Sequence, residues 1–191
     1  MESLNIEAIK KINTKEELIA LWRRHTSSNL TKEEKEQWKT GKLLEYVILR
    51  SFELEGADVT WPYSINLDDG AGVVEQIDGA FHFDNYHVLT ECKDYSNNVN
   101  VEPFSKMRNQ LLRRPSFTIG CIFVRKGFTD PAIALSRFCA PQTILLWSGE
   151  EFEYCIENGK MLEAFKLKVR KATEEFLFSY NVKAIYNRPE I

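Results

Sequence analysis

The chain has 191 residues, enough for one domain of usual size with helical additions. Its 43% hydrophobic and 12% aromatic content can fill a core, which excludes a disordered chain. A net charge of −3 excludes a uniformly basic, histone-like protein but leaves room for a local basic groove.

In chain order, Ile6, Ile9, Ile12, Leu18, Ile19 and Trp22 predict short amphipathic helical pieces. Thr31 followed three residues later by Glu34 has the form of a capping box. Trp38, Leu44, Val47, Ile48 and Phe52 then recur at helical spacing until Gly56, a suitable C-terminal stop. From Ala57 the period changes. Asp58–Ile65 is β-prone, with Pro62 marking an edge or a bulge. Val73–Phe83 and Tyr86–Lys93 read as two strands around Asp84-Asn85, and Glu102–Arg114 as a helix ended by Pro115. Phe117–Val124 is a continuous apolar run of the kind that forms a buried central strand. A helix near Pro131–Phe138, a strand at Thr143–Trp147 and a charged helix from about Lys160 to Tyr180 complete the order. The expected fold class is α/β, a mixed, partly antiparallel sheet with helices on both faces.

No repeat, low-complexity tract or linker is present, so one domain is expected over 1–191. Cys92, Cys121, Cys139 and Cys155 form no CxxC pair and, with three scattered histidines, give no zinc signature; reduced, buried thiols are expected. The N-terminus lacks a basic-then-apolar leader, and no apolar run nears the roughly 20 residues that span a bilayer. A cytoplasmic protein without membrane contact is expected.

The segment Val73–Lys93 carries the chemistry. With Asp84-Asn85 as a two-residue hairpin loop, Phe83 faces Tyr86, Phe81 faces Val88, Gly79 faces Thr90 and Ile77 faces Cys92, an almost wholly apolar face. The other face pairs His82 with His87, Ala80 with Leu89, Asp78 with Glu91 and Gln76 with Lys93. This register sets Asp78 across from Glu91, with Cα atoms roughly 4.5–5.5 Å apart, and points Lys93 the same way. Two adjacent carboxylates repel, and a divalent cation relieves the repulsion. Mg²⁺ favours such oxygen donors, and Lys93 could polarise a water or hold a phosphate. An ordinary surface ion-pair network is the bland alternative. Ile77, Ala80, Leu89 and Cys92 hem the cluster in and favour a cleft floor instead.

Ile77-Asp78 followed by Glu91-Cys92-Lys93 on antiparallel neighbours, with an upstream helix glutamate, resembles the PD-(D/E)xK nucleases, in particular the restriction-endonuclease-like, Mrr-type branch. The resemblance covers roughly Gly41 to Trp147, and Ile77 stands where the motif has proline. It implies a restriction-endonuclease-like core of helix, three strands, helix and strand at 41–147, flanked by helical extensions at 1–40 and 148–191. It also implies Asp78, Glu91 and the Cys92 backbone carbonyl as ligands of Mg²⁺ (with Mn²⁺ substituting), and Lys93 as the catalytic lysine. Glu45 matches the upstream glutamate that contacts the metal or its water, and Gln110 matches a polar residue directed into the site from the following helix.

Lys106, Arg108, Arg113 and Arg114, on or just after one helix, are the candidate phosphate contacts. A solvated cationic helix face is the competing reading. His82 and His87 lack further zinc ligands and are read as a structural pair. The function expected from these residues and the resemblance is a Mg²⁺-dependent DNA endonuclease in restriction or phage defence. A homodimer or a partner protein would supply target recognition. The rival readings are a catalytically silent nuclease-like module that binds nucleic acid or a protein, and an RNA-directed nuclease.

Overall fold

Four helices precede the sheet: α1 (Glu2–Lys10), α2 (Lys15–Thr26), α3 (Lys32–Gln37) and α4 (Leu43–Leu54). The structure is a computed structural model describing residues 2–38, 42–61, 63–67 and 72–186. Thr31 and Glu34 form both halves of the expected capping box. The helical pattern read from Thr31 to Gly56 divides, however, into α3 and α4. α3 is six polar residues with none buried, so it has no apolar face to carry it onward. Gly41 lies outside the described residues. α4 buries eight of its twelve residues and ends at Gly56, whose φ of +99° suits a residue without a Cβ.

The strands β1 (Asp58–Thr60), β2 (Tyr63–Leu67), β3 (Gly72–Ile77), β4 (Gly79–Phe83) and β5 (Tyr86–Lys93) follow. Then come α5 (Glu102–Leu111), β6 (Ile119–Val124), α6 (Asp130–Ser136), β7 (Ile144–Ser148), α7 (Gly149–Asn158), α8 (Met161–Glu175) and α9 (Lys183–Tyr186). The main sheet has the order β1-β4-β5-β6-β7, antiparallel from β1 to β5 and parallel from β5 to β7. With helices on both faces it is the mixed α/β architecture read from the sequence.

Two of the three expected strands before α5 are broken, giving five. Asp58–Ile65 splits into β1 and β2, and Val73–Phe83 splits at Asp78 into β3 and β4. Pro62 lies outside the described residues. The register runs unchanged through the break: Thr60 faces Ala80 in the main sheet, and Tyr63 faces Ile77 in the separate β2-β3 sheet. The two arms are thus one long antiparallel pair that bends off the main sheet. The expected β4-β5 register holds from Phe83↔Tyr86 to Gly79↔Thr90 and stops there. The ladder pairs Asp78–Glu91, Ile77–Cys92 and Gln76–Lys93 do not form, because β3 has left β5 by that point.

Both faces of the sheet are covered. On one, Phe81, Val88 and Cys92 join a core with α4, α7 and α8 that also takes in Ile9, Leu18 and Trp22 of the first two helices. The terminal helices are therefore part of the main core. On the other, Ala80, Leu89 and Ile122 pack under Phe104, Met107 and Leu111 of α5, together with Ile77. Gly79 and Gly120 set the depth of this clamp. A Cβ at Gly79 would lie 2.4 Å from Leu49 of α4, and one at Gly120 would lie 2.7 Å from Met107 of α5.

The helix expected from Lys160 to Tyr180 ends at Glu175, where Phe176 adopts a left-handed φ of 58°. The chain then returns to β7, and the Leu146 N–H donates to the Phe178 carbonyl at 3.0 Å. The fully buried Lys168 ammonium anchors this return by donating to Glu151 Oε1 (2.7 Å) and the Tyr180 carbonyl (2.5 Å).

Candidate functional site

The bend at Asp78 does not separate the two carboxylates. Asp78 turns its side chain back onto β5, where Oδ2 accepts the Cys92 N–H at 2.6 Å. A side-chain oxygen thereby satisfies a strand amide that β3 no longer pairs. Burial, and then the Glu91 charge nearby, push the Asp78 carboxyl above the usual aspartate range, although the Cys92 N–H, Lys106 and Lys93 pull the other way. The expected ladder pairing of Asp78 with Glu91 is absent; Asp78 is held by Cys92 instead, near enough for the Glu91 charge to act on it.

Glu91 is 0% exposed. Its Oε1 lies 2.6 Å from Lys93 Nζ, and its Oε2 accepts from Lys106 Nζ at 2.5 Å. The Lys93 contact is an ion pair, so both buried Glu91 oxygens face an ammonium group. Burial alone would pull the Lys93 ammonium down. The Glu91 carboxylate against it, with Asp78 and Tyr95 adding, holds it above the usual lysine range instead. The arrangement is two carboxylates and two ammonium groups at one end of β5, closed over by α5.

Lys106 was read from the sequence as a phosphate contact, and the structure places it on Glu91. Its charge is visible in the sequence, but its pairing with Glu91, 15 residues away, is not. Four residues on, Gln110 is 3% exposed and donates to the Gln76 carbonyl at 3.4 Å, tying α5 to β3. Its Oε1 has no donor among the described residues. Arg113 and Arg114 lie past the end of α5 and pair with Glu75 of β3, Arg114 at 2.6 Å. Arg108 is exposed on the outer side of α5. Of the four expected phosphate contacts, three are therefore committed to carboxylates.

Glu45, in the first turn of α4, lies 3.8 Å from Lys42. After burial and Asp78, its charge is the next influence raising the Cys92 thiol well above its ordinary value, which places Glu45 at the margin of the site. Among the described residues no three His, Cys, Asp or Glu side chains converge closely enough to hold a metal ion. The carboxylates brought together are two, Asp78 and Glu91.

One cluster escaped the sequence reading. Asp94, directly after Lys93, is paired through Oδ2 with His25 Nε2 (2.6 Å) and through Oδ1 with Arg125 (3.4 Å), while Arg125 also donates to the Thr26 carbonyl at 2.9 Å. It joins the end of α2 to the ends of β5 and β6. No local pattern could reveal it, since His25 and Asp94 are 69 residues apart. The four cysteines are free and buried, as expected.

No protein-family model matches the chain, and no curated protein matches it. The crystal structure of a protein of unknown function, AF1548, is similar at a TM-score of 0.44 and 19% identity, over 54% of this chain and 56% of that one. The chain thus spans little more than half of that protein's length. Among the described residues no helix is long and apolar enough to cross a membrane.

Proposed function

We propose that this chain is a metal-dependent endonuclease of the PD-(D/E)xK type, with a restriction-endonuclease-like core, that hydrolyses DNA phosphodiester bonds. The observation that carries the reading is Glu91. It is a fully buried carboxylate with a second carboxylate, Asp78, close enough to be raised by it and two lysines converging on its oxygens. Buried acids are rare without a partner, and a purely structural ion pair needs only one of each sign.

The residues suit a hard cation. Asp78 and Glu91 are hard carboxylate donors, the Asp78 hydrogen bond to Cys92 runs through Oδ2, and a divalent cation would take the place that the lysine ammonium groups hold on Glu91. Asp78, Glu91 and the Cys92 carbonyl would hold the ion, with Glu45 at the margin contacting its water. Such an ion supplies Lewis acidity and lowers the pKa of a bound water. Lys93, held fully protonated against Glu91, places positive charge where a scissile phosphate would develop negative charge. Lys106 can leave Glu91 for an incoming phosphate, since its side chain is 44% exposed. A place in restriction or phage defence rests on family analogy alone.

The test is incubation of the protein with plasmid DNA, linear DNA and RNA, with and without Mg²⁺ or Mn²⁺, beside Asp78→Ala and Lys93→Ala. Metal-dependent cutting lost in both folded variants supports the reading; cutting that survives them sinks the site assignment. RNA cut in place of DNA would move the substrate class.

A second reading has an observation of its own. Both Glu91 oxygens are already approached by lysines, as in a neutralised cluster with no chemistry left. This is the catalytically silent, nucleic-acid-binding or protein-binding module. DNA binding without cleavage under any metal would favour it.

A further inference from the structure

The face of the sheet that carries Glu91 continues along β5 through Leu89 to His87. There it opens into a cavity of about 430 Å³, between the β4-β5 hairpin, the start of β2 and the segment joining α5 to β6. Its walls include Tyr63, His82, His87, Leu89, Arg114 and Phe117. The size is that of a small-ligand site.

The lining selects the ligand. Arg114 would be the cation for an anionic group, but its guanidinium is occupied by Glu75 Oε2 at 2.6 Å and the Gln110 carbonyl at 3.0 Å. His82 Nδ1 and His87 Nδ1 lie 2.8 Å apart, which commits one ring nitrogen of each to the other. What remains is aromatic surface with hydrogen-bonding groups at its edge. Phe117 is 61% exposed, and its ring lies 5.3 Å from that of His87. A large apolar ring held at a cavity mouth in this way offers a stacking surface. A flat heterocycle fits these walls.

Position supplies the second half of the argument. Leu89 and His87 are two and four residues from Glu91 on the same face, or about 7 and 13 Å along the strand. A short stretch of single strand covers that span. We infer that the cavity between the hairpin and the α5–β6 segment takes one unpaired nucleobase of the substrate strand, stacked on Phe117 and Tyr63, while the neighbouring backbone reaches the Asp78–Glu91 cluster. The inference rests on the nucleic-acid reading above and adds a substrate class: duplexes with an extruded or mismatched base, or single strands.

The experiment is fluorescence anisotropy in EDTA, which prevents cleavage, with a labelled matched duplex and the same duplex carrying one bulged base. Stacking energies for single bases predict roughly tenfold tighter binding of the bulged duplex. Phe117→Ala, at an exposed position that does not threaten folding, should bring the ratio close to one and leave matched-duplex affinity unchanged. A photoreactive thymine analogue at the bulge should crosslink to Phe117 or Tyr63. Equal affinity for both duplexes, or a preference that survives Phe117→Ala, overturns the cavity assignment while the nuclease reading stands. Failure to bind either duplex removes the nucleic-acid reading and the cavity assignment together.

Discussion

Asp78→Asn separates the cost of the acidic site from its use. The asparagine keeps an oxygen to accept the Cys92 N–H and removes the charge that Glu91 and burial disfavour. Because the folded-state carboxyl is raised, its contribution to stability is fully present below the unfolded value near 3.9 and is lost as pH rises through the folded one. At neutral pH the wild type carries that loss and the variant does not. The variant is therefore expected to be the more stable protein without metal. The variant should show the higher Tm at pH 7, the difference vanishing towards pH 3. Metal reverses the order. At about ten times its Kd, Mg²⁺ adds about 1.4 kcal/mol to the wild type, or about 3–6 °C, and nothing to a variant that has lost a ligand. Differential scanning calorimetry at pH 7 with and without 10 mM Mg²⁺ (about ten times a millimolar Kd) reads both effects. An equal Mg²⁺ increment in the two proteins, or none in either, would refute the two-carboxylate metal site.

Lys106→Gln should weaken DNA binding across sequences and reduce the slope of log affinity against log salt by about one, as measured by titration at several salt concentrations. Lys93 titrates in the opposite sense to a depressed group. Its raised folded-state value means its contribution is present below about pH 10.4 and lost as pH rises through the folded one, so Lys93→Ala should flatten the alkaline limb of the stability curve. Lys168→Ala strands Glu151 in the interior, and urea denaturation should show a loss of about 3–5 kcal/mol; replacing both partners with apolar residues should recover most of it. Gly120→Ala forces a methyl against Met107 and should cost about 1–3 kcal/mol, read by urea denaturation.

Local chemistry was legible in the sequence. The capping box at Thr31, the stop at Gly56, the hairpin turn at Asp84-Asn85 and its register to Gly79↔Thr90 all follow from patterns within a few residues. The burial of β6 follows from its unbroken apolar run. Tertiary structure decided what depends on distant partners. Extending the register past Gly79 assumed a straight strand, but Asp78 ends β4 and its carboxylate takes the amide of Cys92, fourteen residues away. Lys106 read as a free cation because charge is visible in sequence and pairing is not. Only the close seating of α5 at Gly120 brings its ammonium onto Glu91. The sequence by itself determined which acids and which lysine could form a site at the end of β5. The packing of two helices on opposite faces of the sheet decided that Glu91 is buried, that Asp78 turns back onto Cys92 at a bend, and that Lys106 and Lys93 meet on Glu91. Those contacts exist only where chain segments far apart in sequence are pressed together, and no local period encodes them.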